Sequence, residues 1–152
     1  MQLVDNILKK FPNTSQLNID YVKTPPYPNI AIDNFLPRET IKAMKEECQQ
    51  LTWTREFTRN GSHMLERHDV DDCPVAVQVK TALSSKKFLI WLAEVTGHYD
   101  LIPDPHMVGA GYMRCTHGDF LKLHSDFNFN NTLKLYRMLS LNIYLNEDWQ
   151  TE

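Results

Sequence analysis

Apolar residues are spaced in two different ways along this chain, and the change comes near residue 107. In FLPRETIKAMKEECQQL, Ile41, Met44, Cys48 and Leu51 recur at intervals of three, four and three, which marks one face of a helix. Pro37 stands near its start, where a missing N–H costs nothing. Over residues 85–96, Phe88, Trp91, Leu92 and Val95 share a face, with Ser85 to cap the start and Gly97 to end it. VAVQVKTAL fits two patterns: Val75, Val77 and Val79 alternate like a strand, whereas Val75, Val79 and Leu83 suit a helix, the reading adopted. WTREF and HMLERH flank Asn60-Gly61, a favoured two-residue turn, and predict a β-hairpin. The prolines of TPPYPNI predict an extended lead-in to a short strand over residues 29–33.

From Met107 onward the pattern is that of strands. MVGAGYMRC, DFLKLHSD and YRMLSLNIYLN are three β-like runs, with a corner at Thr116-His117-Gly118 and a longer connection through FNFNNTLK. Helices first and strands later predict an α+β fold. The expected organisation is one domain over 1–152: residues 1–106 are mostly helical support with early strands, and 107–152 hold the first core strands.

Composition narrows the functional classes. Of 152 residues, 42% are hydrophobic and 23% charged, ordinary values for a chain with a packed core. The formal net charge is -3 and basic residues cluster only in pairs such as Lys9-Lys10 and Lys86-Lys87, so neither nucleic acid nor an anionic membrane is expected as a partner. The longest apolar run, FLIWLA, is far short of the ~20 residues that span a bilayer. The N-terminal MQLVDNILKKF lacks a secretory apolar region. Cys48, Cys73 and Cys115 are odd in number and form no CxxC, which predicts reduced thiols and a cytoplasmic setting. Cys115-Thr116-His117 does not assemble the four ligands of a closed zinc site.

The candidate chemistry lies in CTHGDFLKLHSDF, where the pattern HxD occurs twice. Alternate residues of a strand share a face, so Phe120, Lys122, His124 and Asp126 point one way and Leu121, Leu123 and Ser125 the other. His124 and Asp126 are thus expected to be co-facial just before an irregular loop, a suitable place for a first-row metal held by one imidazole and one carboxylate. His117 and Asp119 have the opposite parity around a turn glycine and are read as a turn histidine and a turn carboxylate. In YRMLSLNIYLNEDW, Leu139, Leu141, Ile143 and Leu145 form an apolar face; Met138, Ser140, Asn142, Tyr144 and Asn146 form the other, suited to line a polar pocket or to face solvent. Tyr112 is either a pocket residue or a core-edge tyrosine, with Gly109 and Gly111 permitting close sheet packing.

Together, Tyr112, His124-Ser125-Asp126 and Arg137…Ser140…Tyr144-Leu145-Asn146…Trp149 resemble the core of the prolyl 4-hydroxylase-like Fe(II)/2-oxoglutarate dioxygenases. IDNFLP and the helix after it resemble the helical support that precedes that family's barrel. The resemblance implies a double-stranded β-helix, or jelly-roll, with a two-histidine, one-carboxylate metal site at its mouth. It assigns His124 and Asp126 as metal ligands, Tyr112, Tyr144 and Ser140 to the co-substrate pocket, and Arg137 to the neighbourhood of substrate. The cofactors implied are Fe(II) and 2-oxoglutarate, with ascorbate as an accessory reductant. The implied reaction is hydroxylation of a prolyl residue in a peptide or protein, or of an amino-acid-like substrate.

One element of the pattern is missing. The family's second histidine and the basic partner of 2-oxoglutarate lie on a later strand, and no His, Lys or Arg follows Arg137. The expectation is a barrel truncated before its last strands and inactive by itself. The alternative is a non-catalytic β-sheet interaction module of dioxygenase ancestry, pairing through an unclosed sheet edge.

Overall fold

The structure is a computed structural model that describes residues 2–57 and 63–147. Two helices that the sequence pattern does not single out open the chain: α1 (Gln2–Lys10) and α2 (Thr14–Lys23). α1 buries Val4 and Ile7 one turn apart, and α2 is started by Asn13, whose side chain accepts from the Gln16 N–H at 3.1 Å. The three helices read from the sequence are present as α3 (Arg38–Cys48), α4 (Pro74–Leu83) and α5 (Lys86–Thr96). Pro37 caps α3, and Pro74 occupies the first turn of α4, where no N–H is needed. Ser85 accepts from the Phe88 N–H, and Gly97 closes α5 in the left-handed region at φ 79°.

The helices enclose two apolar clusters that share Leu8, Phe11, Phe35 and Leu83. In one, Phe88, Trp91 and Val95 of α5 meet Val4 of α1; Ile7, Met44, Cys73, Ala76 and Val79 form the other between α1, α3 and α4. Phe11, Phe35, Phe88 and Trp91 stack or meet edge-on at 5.5–6.1 Å, and the Trp91 indole donates to the Phe11 carbonyl at 2.9 Å. Among the described residues no helix is long and apolar enough to cross a membrane.

The predicted hairpin is formed by β1 (Thr54–Phe57) and β2 (His63–His68); its Asn60-Gly61 turn lies outside the described residues. The opposite edge of β2 is shared by β3 (Tyr112–Arg114) and β4 (Phe120–Leu121), all antiparallel. Register aligns Arg55, Glu66 and Arg114 across three strands. Glu66 accepts from Arg114 at 2.7 Å and sits 3.9 Å from Arg55. Gly111 enters β3 against β2: a Cβ there would stand 2.8 Å from the His68 carbonyl oxygen, so this close approach requires glycine. A separate hairpin pairs β5 (Phe129–Asn130) with β6 (Leu135–Tyr136).

Several β runs are shorter than their patterns predict. Residues 29–33 form no strand, the 107–115 run narrows to β3, DFLKLHSD to β4, and YRMLSLNIYLN contributes only its first residue to β6. Apart from one backbone bond, Arg137 N–H to the Asn128 carbonyl at 2.9 Å, which extends the β5–β6 hairpin, residues 122–128 and 137–146 join no strand pairing. The FNFNNTLK connection is tighter than expected, because the Asn130 side chain accepts from the N–H groups of Thr132 and Leu133 and closes the turn itself. The described residues thus make a mixed fold of helices and antiparallel sheet, with no rolled double sheet among them.

Candidate functional site

The His124 and Asp126 side chains meet, on backbone that has left β4 and bends at Leu123. His124 Nδ1 lies 2.8 Å from the Lys122 carbonyl oxygen. A carbonyl only accepts, so Nδ1 carries the proton and Nε2 is the ring's ligand atom. That atom is 3.3 Å from Oδ1 of Asp126. Two ligands of one octahedral ion, each about 2.1 Å from it and at right angles, stand about 3 Å apart. A lone pair facing a carboxylate oxygen at this distance calls for a cation between them, a proton or a metal. Both side chains are partly exposed, so an ion can reach them.

Arg137 and Ser140 join the pair. Arg137 Nη2 is 3.1 Å from Oδ2 of Asp126 and donates to Ser140 Oγ at 3.0 Å, while the guanidinium lies 4.8 Å from the centre of the Phe127 ring. His124, Asp126, Arg137 and Ser140 are thereby one connected group. Past it the alternation of YRMLSLNIYLN survives without ladder bonds: Leu139, Ile143 and Leu145 are half-buried, whereas Ser140, Asn142, Tyr144 and Asn146 are exposed. Ile143 and Leu145 reach the main core; Leu141 breaks the pattern and is exposed. Tyr144 is exposed to solvent, and Trp149 lies outside the described residues.

Tyr112 stands elsewhere. It is buried in the core, and its hydroxyl donates to Oε2 of Glu47 at 2.8 Å. The same carboxylate accepts the N–H groups of Val75 and Ala76 at 2.8 and 3.1 Å, capping the first turn of α4. Burial first, then the Glu47 carboxylate, raises the Tyr112 phenol above its ordinary range. This is the core-edge placement anticipated as the simpler reading of that tyrosine. The contact joins residues 65 positions apart, which no local pattern reveals.

The other HxD pair occupies a turn. Asp119 accepts from the Thr116 N–H at 2.7 Å and from its hydroxyl at 3.0 Å, and both terminal nitrogens of Arg55 clasp its carboxylate. Those bonds, the Thr116 N–H foremost, hold its carboxyl below the ordinary 3.8. Asp119 therefore fastens the β3–β4 corner to β1, and His117 beside it is exposed. Cys48, Cys73 and Cys115 are all free thiols.

Sequence reasoning missed a second cluster. His68 at the end of β2 has Nδ1 2.6 Å from the Thr52 carbonyl and Nε2 2.9 Å from Oδ1 of Asp72; Cys73, next in sequence, is fully buried. Both ring nitrogens face oxygens, so the ring is drawn toward its protonated form, its pKa raised above 6.5 by the Thr52 carbonyl first and Asp72 second. Burial pushes the Cys73 thiol up to about 11, so it is not poised as a nucleophile. The only sequence signal is the spacing His-x3-Asp-Cys at a strand-to-helix junction. Among the described residues, this is the only place where three such ligand-type side chains gather.

The chain matches no protein-family profile and no curated protein.

Proposed function

We propose that this chain carries part of the active site of an Fe(II)- and 2-oxoglutarate-dependent hydroxylase of the prolyl 4-hydroxylase-like kind, on a sheet completed into a jelly-roll by residues beyond those described. The observation that supports this most is the pair His124–Asp126: a tautomer fixed by the Lys122 carbonyl and a 3.3 Å separation of the two ligand atoms. The residues fit a first-row divalent metal, with one neutral imidazole, one carboxylate and access from solvent. The third ligand of a facial triad comes from outside the described residues, on this polypeptide or a partner chain.

When bound, Fe(II) and 2-oxoglutarate supply oxidative decarboxylation coupled to hydroxylation of a C–H bond, with ascorbate as accessory reductant. The chain's own residues position. His124 and Asp126 hold the metal; Lys122 fixes the imidazole through its backbone carbonyl. Arg137 orients Asp126 and Ser140. Ser140, tied to the pair through Arg137, and the exposed Tyr144 are free to meet the co-substrate carboxylate, whereas the Tyr112 hydroxyl is given to Glu47. The segments 53–72 and 127–135 would shape the entrance for a prolyl peptide or an amino-acid-like substrate.

A specific observation favours a second reading, the non-catalytic interaction module: Leu121, Leu123, Tyr136, Met138, Leu141 and Tyr144 are all exposed. The two readings separate on turnover. The natural full-length polypeptide, given Fe(II) and 2-oxoglutarate, is expected to release succinate; His124→Ala abolishes this and His117→Ala does not. Absence of turnover in the full-length protein, or equal loss from both substitutions, favours the module.

A further inference from the structure

His68, Asp72 and Cys73 present an imidazole nitrogen, a carboxylate oxygen and a sulfur that all lie within 4.8 Å of one another. The Nε2 of His68 is 2.9 Å and the Cys73 sulfur 3.7 Å from the same Asp72 oxygen. We propose that these three side chains form a second metal site, distinct from the His124 pair, for a thiophilic divalent cation of the Zn(II) class.

The donor set carries the choice of ion. One sulfur, one imidazole and one carboxylate suit Zn(II), whereas Mg(II) and Ca(II) favour oxygen alone. The His68 ring already has the outer contact that a ligating imidazole needs: Nδ1–H donates to the Thr52 carbonyl at 2.6 Å, which aims Nε2 at Asp72 and Cys73. Access comes from a cleft of about 560 Å³ whose walls include Glu46, Glu47, Thr52, His68, Asp72 and Pro74. Asp72 lines the cleft and is exposed, whereas Cys73 is fully buried beneath the lining, so an ion entering from solvent meets oxygen first and sulfur last. A Zn(II) ion with three protein ligands takes water as its fourth.

The protons balance. Without a cation the His68 ring donates to the Thr52 and Asp72 oxygens, and the Cys73 thiol donates to the Asp69 carbonyl at 3.5 Å. Binding exchanges the Nε2 proton and the thiol proton for the ion, releasing one from the ring and one from sulfur while Asp72 stays ionised. The bound ion then fastens the end of β2 to the first turn of α4. It acts as a structural clip with no part in hydroxylation.

The test is a Co(II) titration of the intact chain, first stripped with chelator and kept reduced. The expected result is a saturable thiolate-to-cobalt charge-transfer band. Cys73→Ser removes the band, and Asp72→Asn, a solvent-side change that leaves the core intact, weakens binding about tenfold or more. Cys115→Ser and His124→Ala leave the band unchanged. If Cys73→Ser fails to fold by circular dichroism, Asp72→Asn decides. Unaltered affinity in that variant, no band in the wild-type chain, or a band lost with Cys115→Ser overturns the assignment.

Discussion

Arg137 and Asp126 are bound to each other: Nη2 of the arginine is 3.1 Å from Oδ2 of the carboxylate, whose other oxygen faces His124. Two residues that a sequence resemblance assigns to different tasks, substrate and metal, thus share one contact. The guanidinium supplies Asp126 with a fixed orientation and also a competing positive charge.

Exposed ion pairs are worth about 0.2–1 kcal/mol and weaken as salt rises. Arg137→Gln is therefore expected to tighten divalent-metal binding at the His124–Asp126 pair up to severalfold at low ionic strength, with the gain shrinking at high salt. Titration with Mn(II) at two salt concentrations measures this.

Glu47 and Tyr112 offer a stability test away from the metal. Glu47→Ala leaves a buried phenol and two helix N–H groups without their acceptor, and is expected to cost about 2–3 kcal/mol. Tyr112→Phe removes one donor from a carboxylate that keeps two others, for a loss of about 0.5–1.5 kcal/mol. Urea unfolding of both variants and of the double variant checks the values and their coupling.

Asp119 gives the fold an acid-sensitive joint. Its folded pKa is depressed below 3.8, so its contribution is fully present above that value and is lost as pH falls through the folded one. Asp119→Asn is expected to lower the thermal midpoint near neutral pH, by an amount that shrinks as pH falls below 3.8. It should leave metal binding at His124 unchanged. Thermal scans across that pH range, with a metal titration beside them, measure both outcomes.

How much of this was legible depends on whether a feature is local. The face of Ile41, Met44 and Cys48, the Ser85 cap and the Gly97 stop lie within a few residues of what they specify; α5 stands as its pattern indicates, and α3 ends at Cys48, short of Leu51. The contact between His124 and Asp126 agrees with the alternation of FLKLHSD, whereas the two faces that alternation assigns are both exposed, Leu121 and Leu123 included. Strand length was not readable: an alternating run such as YRMLSLNIYLN states which face is apolar, not whether a partner exists to pair with. The Glu47–Tyr112 bond and the Arg55–Asp119 clamp cross 65 and 64 positions, beyond any periodicity. The His68 cluster escapes for another reason: its three ligands straddle the passage from strand to helix, where neither period applies.

The most direct measurement is Mn(II) binding to this chain followed by the loss of the free-ion electron paramagnetic resonance signal. Saturable binding that disappears in His124→Ala and in Asp126→Ala, yet persists in His117→Ala and His68→Ala, is the expected result. Binding that survives loss of His124, or vanishes equally with His117, contradicts a metal held by His124 and Asp126.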